Sequence, residues 1–340
     1  MSPSPFSLQN HLDQIYARRC HKFTFTASTL EEYSTWQTAF RTELKSLLGL
    51  RGRLPVPLAV EKCQHIDRGT CIEEKYRLDA GEGVQMPLYV LVPKLVPPFK
   101  PVLVFHGHDP SAQYCLGHYP DPETARLNQA MDNNYALALA EAGYLVAVVE
   151  QRGLGERLTE QVSTDYPRSC RHLAFSYLMH GRTLLGERCW DGMCAVSYLL
   201  SRPDVSPGLG CTGQSGGGTT ALWLSALDLR VHVVVVSGYF NSFRGSILSN
   251  EHCECNYVPG ILEMAEMGDV AALIAPRPFC AINGEQDEIF PIVSARQQFE
   301  TVRQAYALHN AADACRLEIH PGGHVYHNIL AQAWFAKWLK

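Results

Sequence analysis

Long apolar runs are missing from this sequence. The longest uncharged apolar stretch, around Val231–Phe240, contains His232 and falls well short of the roughly 20 residues a membrane helix needs, so no membrane span is expected. Runs of like charge are missing too: 29 Lys and Arg stand against 34 Asp and Glu, a net charge of −5, with no block of five like charges anywhere. That excludes a nucleic-acid partner, because binding a phosphate backbone draws on clustered cations. Residues 1–10 combine neither a basic start nor an apolar run, which points away from a secretory leader and toward a cytoplasmic protein. Repeats and low-complexity tracts are likewise absent. What the 340 residues do have is 46% hydrophobic and 19% charged content, enough for a large core in one or two domains. The twelve Cys are scattered singly or in loose pairs, and a chain of this length needs no stapling, so buried thiols are expected rather than a disulfide framework.

Three regions separate by pattern. Between Leu8 and Leu50 apolar residues recur at helical spacing (Leu30, Tyr33, Trp36, Phe40, Leu44, Leu47, Leu48) and stop at Gly49, which predicts an N-terminal helical extension over residues 1–55. From Ala59 to Val92 the period falls to two, with turn signals at Asp67-Arg68-Gly69 and Ala80-Gly81-Glu82-Gly83, so three antiparallel strands are expected. After Pro101 short apolar strands alternate with helical stretches, as in a mostly parallel sheet covered on both faces. Strands are predicted at Val102–Phe105, Tyr144–Val149, Leu209–Thr212, Val231–Ser237, Phe279–Asn283 and Cys315–His320. Helices are predicted near Met131–Ala142, Thr183–Ser201, Gly217–Leu227, Ala295–Leu308 and Tyr326–Leu339. The expectation is an α/β domain over 56–340 with a central sheet of about eight strands. Its irregular stretches, Asp109–Arg126, Gly153–His180 and Phe240–Gly268, lie at the strand ends where such sheets bind ligands.

The sharpest local signal is Gly213-Gln214-Ser215-Gly216-Gly217, placed between a strand and a helix. Gly-x-Ser-x-Gly in that context is a nucleophile elbow: the serine occupies a strained turn, and glycine at both flanks avoids the neighbouring backbone. A phosphate loop would want a lysine, and Gly216-Gly217-Gly218-Thr219-Thr220 has none. A serine hydroxyl needs a base, and the base an acid to orient it. Asp287, in Asn283-Gly284-Glu285-Gln286-Asp287, and His324, in Pro321-Gly322-Gly323-His324, each follow a predicted strand and complete the order serine, acid, histidine. Glu285 and Glu150 compete for the acid role; His320 and His327 compete for the base, the first at a strand end and the second within the last helix. Oxyanion donors are expected at the amide of Gly216 and in the loop His106-Gly107-His108-Asp109, at His108 or else Gly107.

Two metal readings rank second. His106-x-His108-Asp109 is explained by the oxyanion loop, and His252-Cys253-Glu254-Cys255 has no second Cys-x-x-Cys nearby to complete a zinc site, so a structural or pocket-lining loop is preferred. Glu150-Gln151-Arg152-Gly153-Leu154-Gly155-Glu156 reads as a tight turn whose Arg152 and Glu156 brace neighbouring loops, since a lone Gly-x-Gly is weak evidence for nucleotide binding. Tyr114, His118, Phe240, Asn241 and Tyr257, from the irregular stretches, are candidates for lining a pocket for a small or medium polar ester.

These residues resemble a family. His106-Gly107-His108, Glu150–Glu156, Gly213–Gly217, Cys255-Asn256-Tyr257-Val258-Pro259-Gly260, Ala275-Pro276-Arg277-Pro278 and Gly322-Gly323-His324 are similar to motifs of the α/β-hydrolase superfamily, in its bacterial branch of dienelactone hydrolases and acetyl-xylan-esterase-like proteins. The resemblance spans about two-thirds of the chain, from Val102 to Leu339. It implies Ser215 as nucleophile, His324 as base, Asp287 as acid, and the amides of Gly216 and His108 as oxyanion donors. Hydrolysis by these groups requires no cofactor, and no metal is expected. Relatives in this branch are commonly secreted, and no sugar-binding motif stands here, so neither location nor carbohydrate substrate carries over. The expectation is a serine hydrolase of a small-molecule carboxylic ester working through an acyl-enzyme. A peptidase or amidase with the same machinery and a non-catalytic protein of the same fold stay open, as does a homo-oligomer.

Overall fold

The computed structural model describes residues 6–53, 59–160 and 168–340. The boundary between extension and domain expected at residues 55 and 56, and part of the irregular stretch Gly153–His180, lie outside them.

Nine strands form one sheet: β1 (Val60–Asp67), β2 (Cys71–Asp79), β3 (Gln85–Pro93), β4 (Pro101–Phe105), β5 (Leu145–Val149), β6 (Gly210–Gln214), β7 (Val233–Ser237), β8 (Phe279–Gly284) and β9 (Cys315–His320). Their order is β1-β2-β3-β5-β4-β6-β7-β8-β9. The first three pair antiparallel, as the period-two pattern predicts, and β3 joins β5 antiparallel; every pairing from β5 through β9 is parallel. The chain steps from β4 to β5 on one side and then back to β6 on the other. The crevice at the carboxyl ends of β4 and β6 is therefore the switch point at which open α/β sheets bind ligands.

Helices are α1 (Gln9–Ala17), α2 (Leu30–Leu47), α3 (Pro122–Ala130), α4 (Tyr135–Glu141), α5 (Cys170–Met179), α6 (Leu184–Ser201), α7 (Gly216–Leu227), α8 (Ile261–Met264), α9 (Met267–Ala272), α10 (Ile292–Leu308) and α11 (Asn328–Trp338). Both sheet faces are covered, which is why the central strands β4, β5 and β7 read as nearly unbroken apolar runs. Alternate residues serve opposite cores: Leu103, Phe105, Ala147, Val234, Val236 and Ala281 face one, while Val102, Val104, Val146, Val148, Val235 and Ile282 face the other against Tyr135, Leu139, Trp334 and Phe335.

The N-terminal extension divides in two. Helix α2 starts at Thr29, whose side chain and that of Glu32 form a capping box. It buries Tyr33, Phe40 and Leu44 in the same core as the sheet, and Arg41 donates to the carbonyls of Ala226 (2.9 Å) and Leu273 (3.2 Å). Helix α1 buries no residue and is attached through Tyr16 to Glu266 (2.9 Å) and Asp13 to Arg244 (3.1 Å).

The predicted helix Met131–Ala142 begins only at Tyr135, because Asp132 has φ 55° and breaks it. The stretch ahead, expected to be irregular, holds α3, capped by Asp121 with Pro122 at its first position. His327 caps α11 rather than lying within it. Among the described residues no helix is long and apolar enough to cross a membrane, and all twelve Cys are free thiols, ten of them buried.

Candidate active site

Strand β6 delivers Ser215 to the switch point at φ 54° and ψ −118°, a conformation that L-residues other than glycine rarely hold. The flanking glycines are required by space: a Cβ on Gly213 would stand 2.3 Å from the Gly217 carbonyl carbon, and one on Gly217 would stand 2.0 Å from the Phe105 carbonyl oxygen. The bend is pinned from the next strand, since the Ser215 amide donates to the Ser237 carbonyl at 2.9 Å. Helix α7 starts at Gly216, so its amide end faces the same crevice.

Two loops bring the remaining groups. After β8, the Asp287 carboxylate accepts from the amides of Ile289 (2.9 Å) and Phe290 (3.0 Å) through Oδ1, while Oδ2 lies 2.7 Å from Nδ1 of His324, on the loop after β9. Burial works against a charge on Asp287. The His324 hydrogen bond and charge and the two amides outweigh it, holding the carboxyl below the usual carboxylate range. The Phe290 ring stacks on the imidazole, with centroids 5.6 Å apart. With Nδ1 engaged by Asp287, Nε2 is the nitrogen left to take a proton. Ser215 and His324 line one cavity of about 200 Å³, together with Gly107, His108, Asp109, Met131, Asn133, Gln214, Val325 and Tyr326.

The competing residues are placed elsewhere. Glu285 is exposed. Glu150 is fully buried, accepts the Ala112 amide at 3.0 Å and faces Nε2 of His106 at 3.1 Å. His320 ends β9, where burial first and His327 second push its pKa down. In the loop after β4 the buried His106 accepts the Gln151 amide at 3.1 Å, whereas His108 lines the cavity, with its Nε2 3.2 Å from Cys255 Sγ. The two imidazoles of the His-x-His-Asp motif are thus engaged separately.

None of the five expected pocket residues lines this cavity. Phe240 is fully buried against Phe279 and Phe299. Asn241, also buried, donates to the Pro291 carbonyl at 2.9 Å. Tyr257 borders a separate groove and donates to the Ile247 carbonyl at 3.2 Å; His118 sits by Glu73 at 2.8 Å; Tyr114 packs edge-on to Tyr119. Residues that do line it and escaped sequence reasoning include Asn133, which donates to Asp109 at 2.9 Å, and Gln214. The Gln214 amide is nearly buried, yet among the described residues its nitrogen and oxygen have no hydrogen-bond partner. A larger cavity of about 410 Å³ lies between α1 and the Arg244–Ser249 region, but it contains none of these groups.

The sheet order, the elbow and the loops that follow β4, β6, β8 and β9 define an α/β-hydrolase fold. No family model matches the chain. Among curated proteins it is similar to YtaP of Bacillus subtilis (strain 168), placed among hydrolases by its name alone, at 28% identity over 305 residues, covering 87% of this chain and 98% of that one. Among solved structures it superposes on a protein of Bacteroides fragilis described as an acetyl xylan esterase, with TM-score 0.76, 17% identity, and 93% of this chain and 83% of that one covered. It also superposes on a glucuronoyl esterase of Solibacter usitatus, with TM-score 0.69, 17% identity, and 91% and 94% covered. At such identities the structural likeness establishes the fold.

Proposed function

We propose that the protein is a serine hydrolase of short-chain carboxylic esters, with Ser215 as nucleophile, His324 as general base and Asp287 as its orienting acid. The observation that carries this reading is the 2.7 Å Asp287–His324 contact beside a serine held at φ 54° in the same cavity. Neutral His324 takes the Ser215 proton through Nε2 as the hydroxyl attacks the ester carbon. Asp287 keeps the other ring proton on Nδ1 and stabilises the imidazolium that forms. The tetrahedral oxyanion is met by the amides of Gly216 and His108, each worth about 3–4 kcal/mol in the transition state. The imidazolium then returns its proton to the leaving alcohol, and a water activated by the same base releases the acid and frees the serine.

Esters are favoured over amides by the names of the relatives, esterases in both solved structures cited. The cavity's size favours a small acyl group, since about 200 Å³ lies below the roughly 300–1,000 Å³ of ordinary ligand pockets. Twelve free thiols support a reducing, cytoplasmic location. Treating the folded protein with a fluorophosphonate and mapping the adduct by mass spectrometry tests the assignment. Label on Ser215, lost in Ser215→Ala, is expected; an unlabelled Ser215 in protein that turns over no ester refutes it.

A further inference from the structure

Beside the elbow, three thiols and an imidazole converge. Cys253 and Cys255 come from the segment between β7 and α8, and His108 from the loop after β4. The ligand atoms of these three lie within 4.8 Å of one another, with His108 Nε2 3.2 Å from Cys255 Sγ. Cys170, the first residue of α5, adds a third thiol, which meets that of Cys253; all three cysteines share one small buried cluster with Leu154, Ala174 and Leu184. A tetrahedral zinc, with Zn–S about 2.3 Å and Zn–N about 2.0 Å, separates its donors by roughly 3.5–4 Å; those of His108, Cys253 and Cys255 lie within 4.8 Å of one another, and Cys170, outside that group of three, would join them by a shift of its thiol on the Cys253 side. The sequence conceals this because the donors come from three separate segments, so the Cys-x-Cys pair finds its partners only in the fold.

A second observation is electrostatic. Arg188 of α6 is 2% exposed, and its Nη2 donates to the Arg152 carbonyl at 2.7 Å and to Cys170 Sγ at 3.3 Å. Among the described residues no carboxylate pairs with it, because the acids of its own helix, Glu187 and Asp191, are taken by Arg152, Arg157 and Arg53. A buried guanidinium without a counter-charge is costly, and the sulfurs beside it are the groups able to supply one. A divalent ion held by three thiolates and a neutral imidazole carries one net negative charge, which the single positive charge of Arg188 balances.

We propose that His108, Cys170, Cys253 and Cys255 form a structural site for a thiophilic divalent ion of the zinc type. On binding, three thiols release their protons to solvent and the imidazole donates its Nε2 lone pair; nothing is oxidised or reduced. Four protein ligands leave no open position, so the ion fastens loops and does no chemistry. The fastening is local to the reaction, since a Cβ on Gly216 would stand 2.4 Å from the His108 ring. Fixing that ring sets the peptide whose amide is the second oxyanion donor, a consequence that rests on the hydrolase reading, whereas the site itself does not.

The full chain, purified without chelator or added thiol, is expected to hold about one zinc per chain by plasma mass spectrometry. After stripping, it should take up one Co²⁺ with the visible ligand-field and thiolate charge-transfer bands of a tetrahedral site. Cys253→Ser and Cys255→Ser weaken Co²⁺ uptake by roughly tenfold or more, while Cys63→Ser, on exposed β1, leaves it unchanged. Wild-type protein that binds neither ion overturns the proposal whatever the variants do. So does Co²⁺ uptake indifferent to both serine substitutions, or a disulfide among these cysteines in the protein as purified. Ester turnover enters none of these readouts, so failure here and failure of the hydrolase reading are separable.

Discussion

Replacing Asp287 by its own amide changes little in volume and much in chemistry. In Asp287→Asn an N–H can face His324 Nδ1 where the carboxylate now lies at 2.7 Å, which favours the ring tautomer that cannot accept the Ser215 proton. A fall in kcat of about 10⁴-fold with KM little changed is expected by steady-state kinetics on an acetyl ester; a loss under tenfold would move the acid role elsewhere. The same residue writes a pH signature into stability. Because the folded carboxyl titrates below its unfolded value of about 3.9, the charged form stabilises the fold above that pH, and the contribution is lost as pH falls through the lower folded value. Denaturant titrations should therefore show the wild-type advantage over Asp287→Asn level above about pH 5 and shrinking below about pH 4.

The element scale decides how the elbow's surroundings are braced. Arg152, in the turn after β5, reaches α6 through a bidentate pair with Asp191 (2.9 and 2.8 Å) and through Glu187 (2.6 Å), all buried. This bracing role is the one the sequence suggested for the Arg-Gly turn, and Arg152 is absent from the cavity lining. Arg152→Met leaves two buried carboxylates with fewer partners. Since Arg157 still pairs with Asp191 and Arg53 with Glu187, the cost falls at the low end of the range for a broken buried pair, about 3 kcal/mol in a urea titration. Phe40→Ala tests whether α2 is an appendage or part of the core: its ring is fully buried and stacked on Phe23, so a loss of about 3–5 kcal/mol is expected. A loss below 1 kcal/mol would make the extension dispensable. Strands and long helices were legible because their apolar period is strong. Helix α3 was not, since only Asn128 is buried in it and no apolar stripe exists to read, although Asp121-Pro122 carried a start signal.

At the scale of the whole molecule, local motif and chain order were enough to bring Ser215, Asp287 and His324 to one sheet edge, because parallel strands deliver every following loop to the same side. Pocket residues were not legible in that way: Phe240 lies in an irregular stretch like a lining residue, and only packing against the distant Phe279 and Phe299 removes it from the cavity. The substrate limit is consequently a property of assembled loops. Met131 lines the cavity together with the polar Asp109, Asn133 and Gln214. In a series of esters of one alcohol, kcat/KM should peak at acetyl or propionyl and fall with each added carbon. Met131→Ala removes side-chain volume without touching Ser215, Asp287 or His324, so on the proposed reading longer acyl chains gain buried surface. At about 0.8 kcal/mol per methylene, each carbon newly accommodated is worth roughly fourfold in kcat/KM. The butyryl-to-acetyl ratio should thus rise by about tenfold or more in the variant, while a wild-type preference for long chains, or a ratio that Met131→Ala leaves unmoved, would show that the acyl group lies outside this cavity.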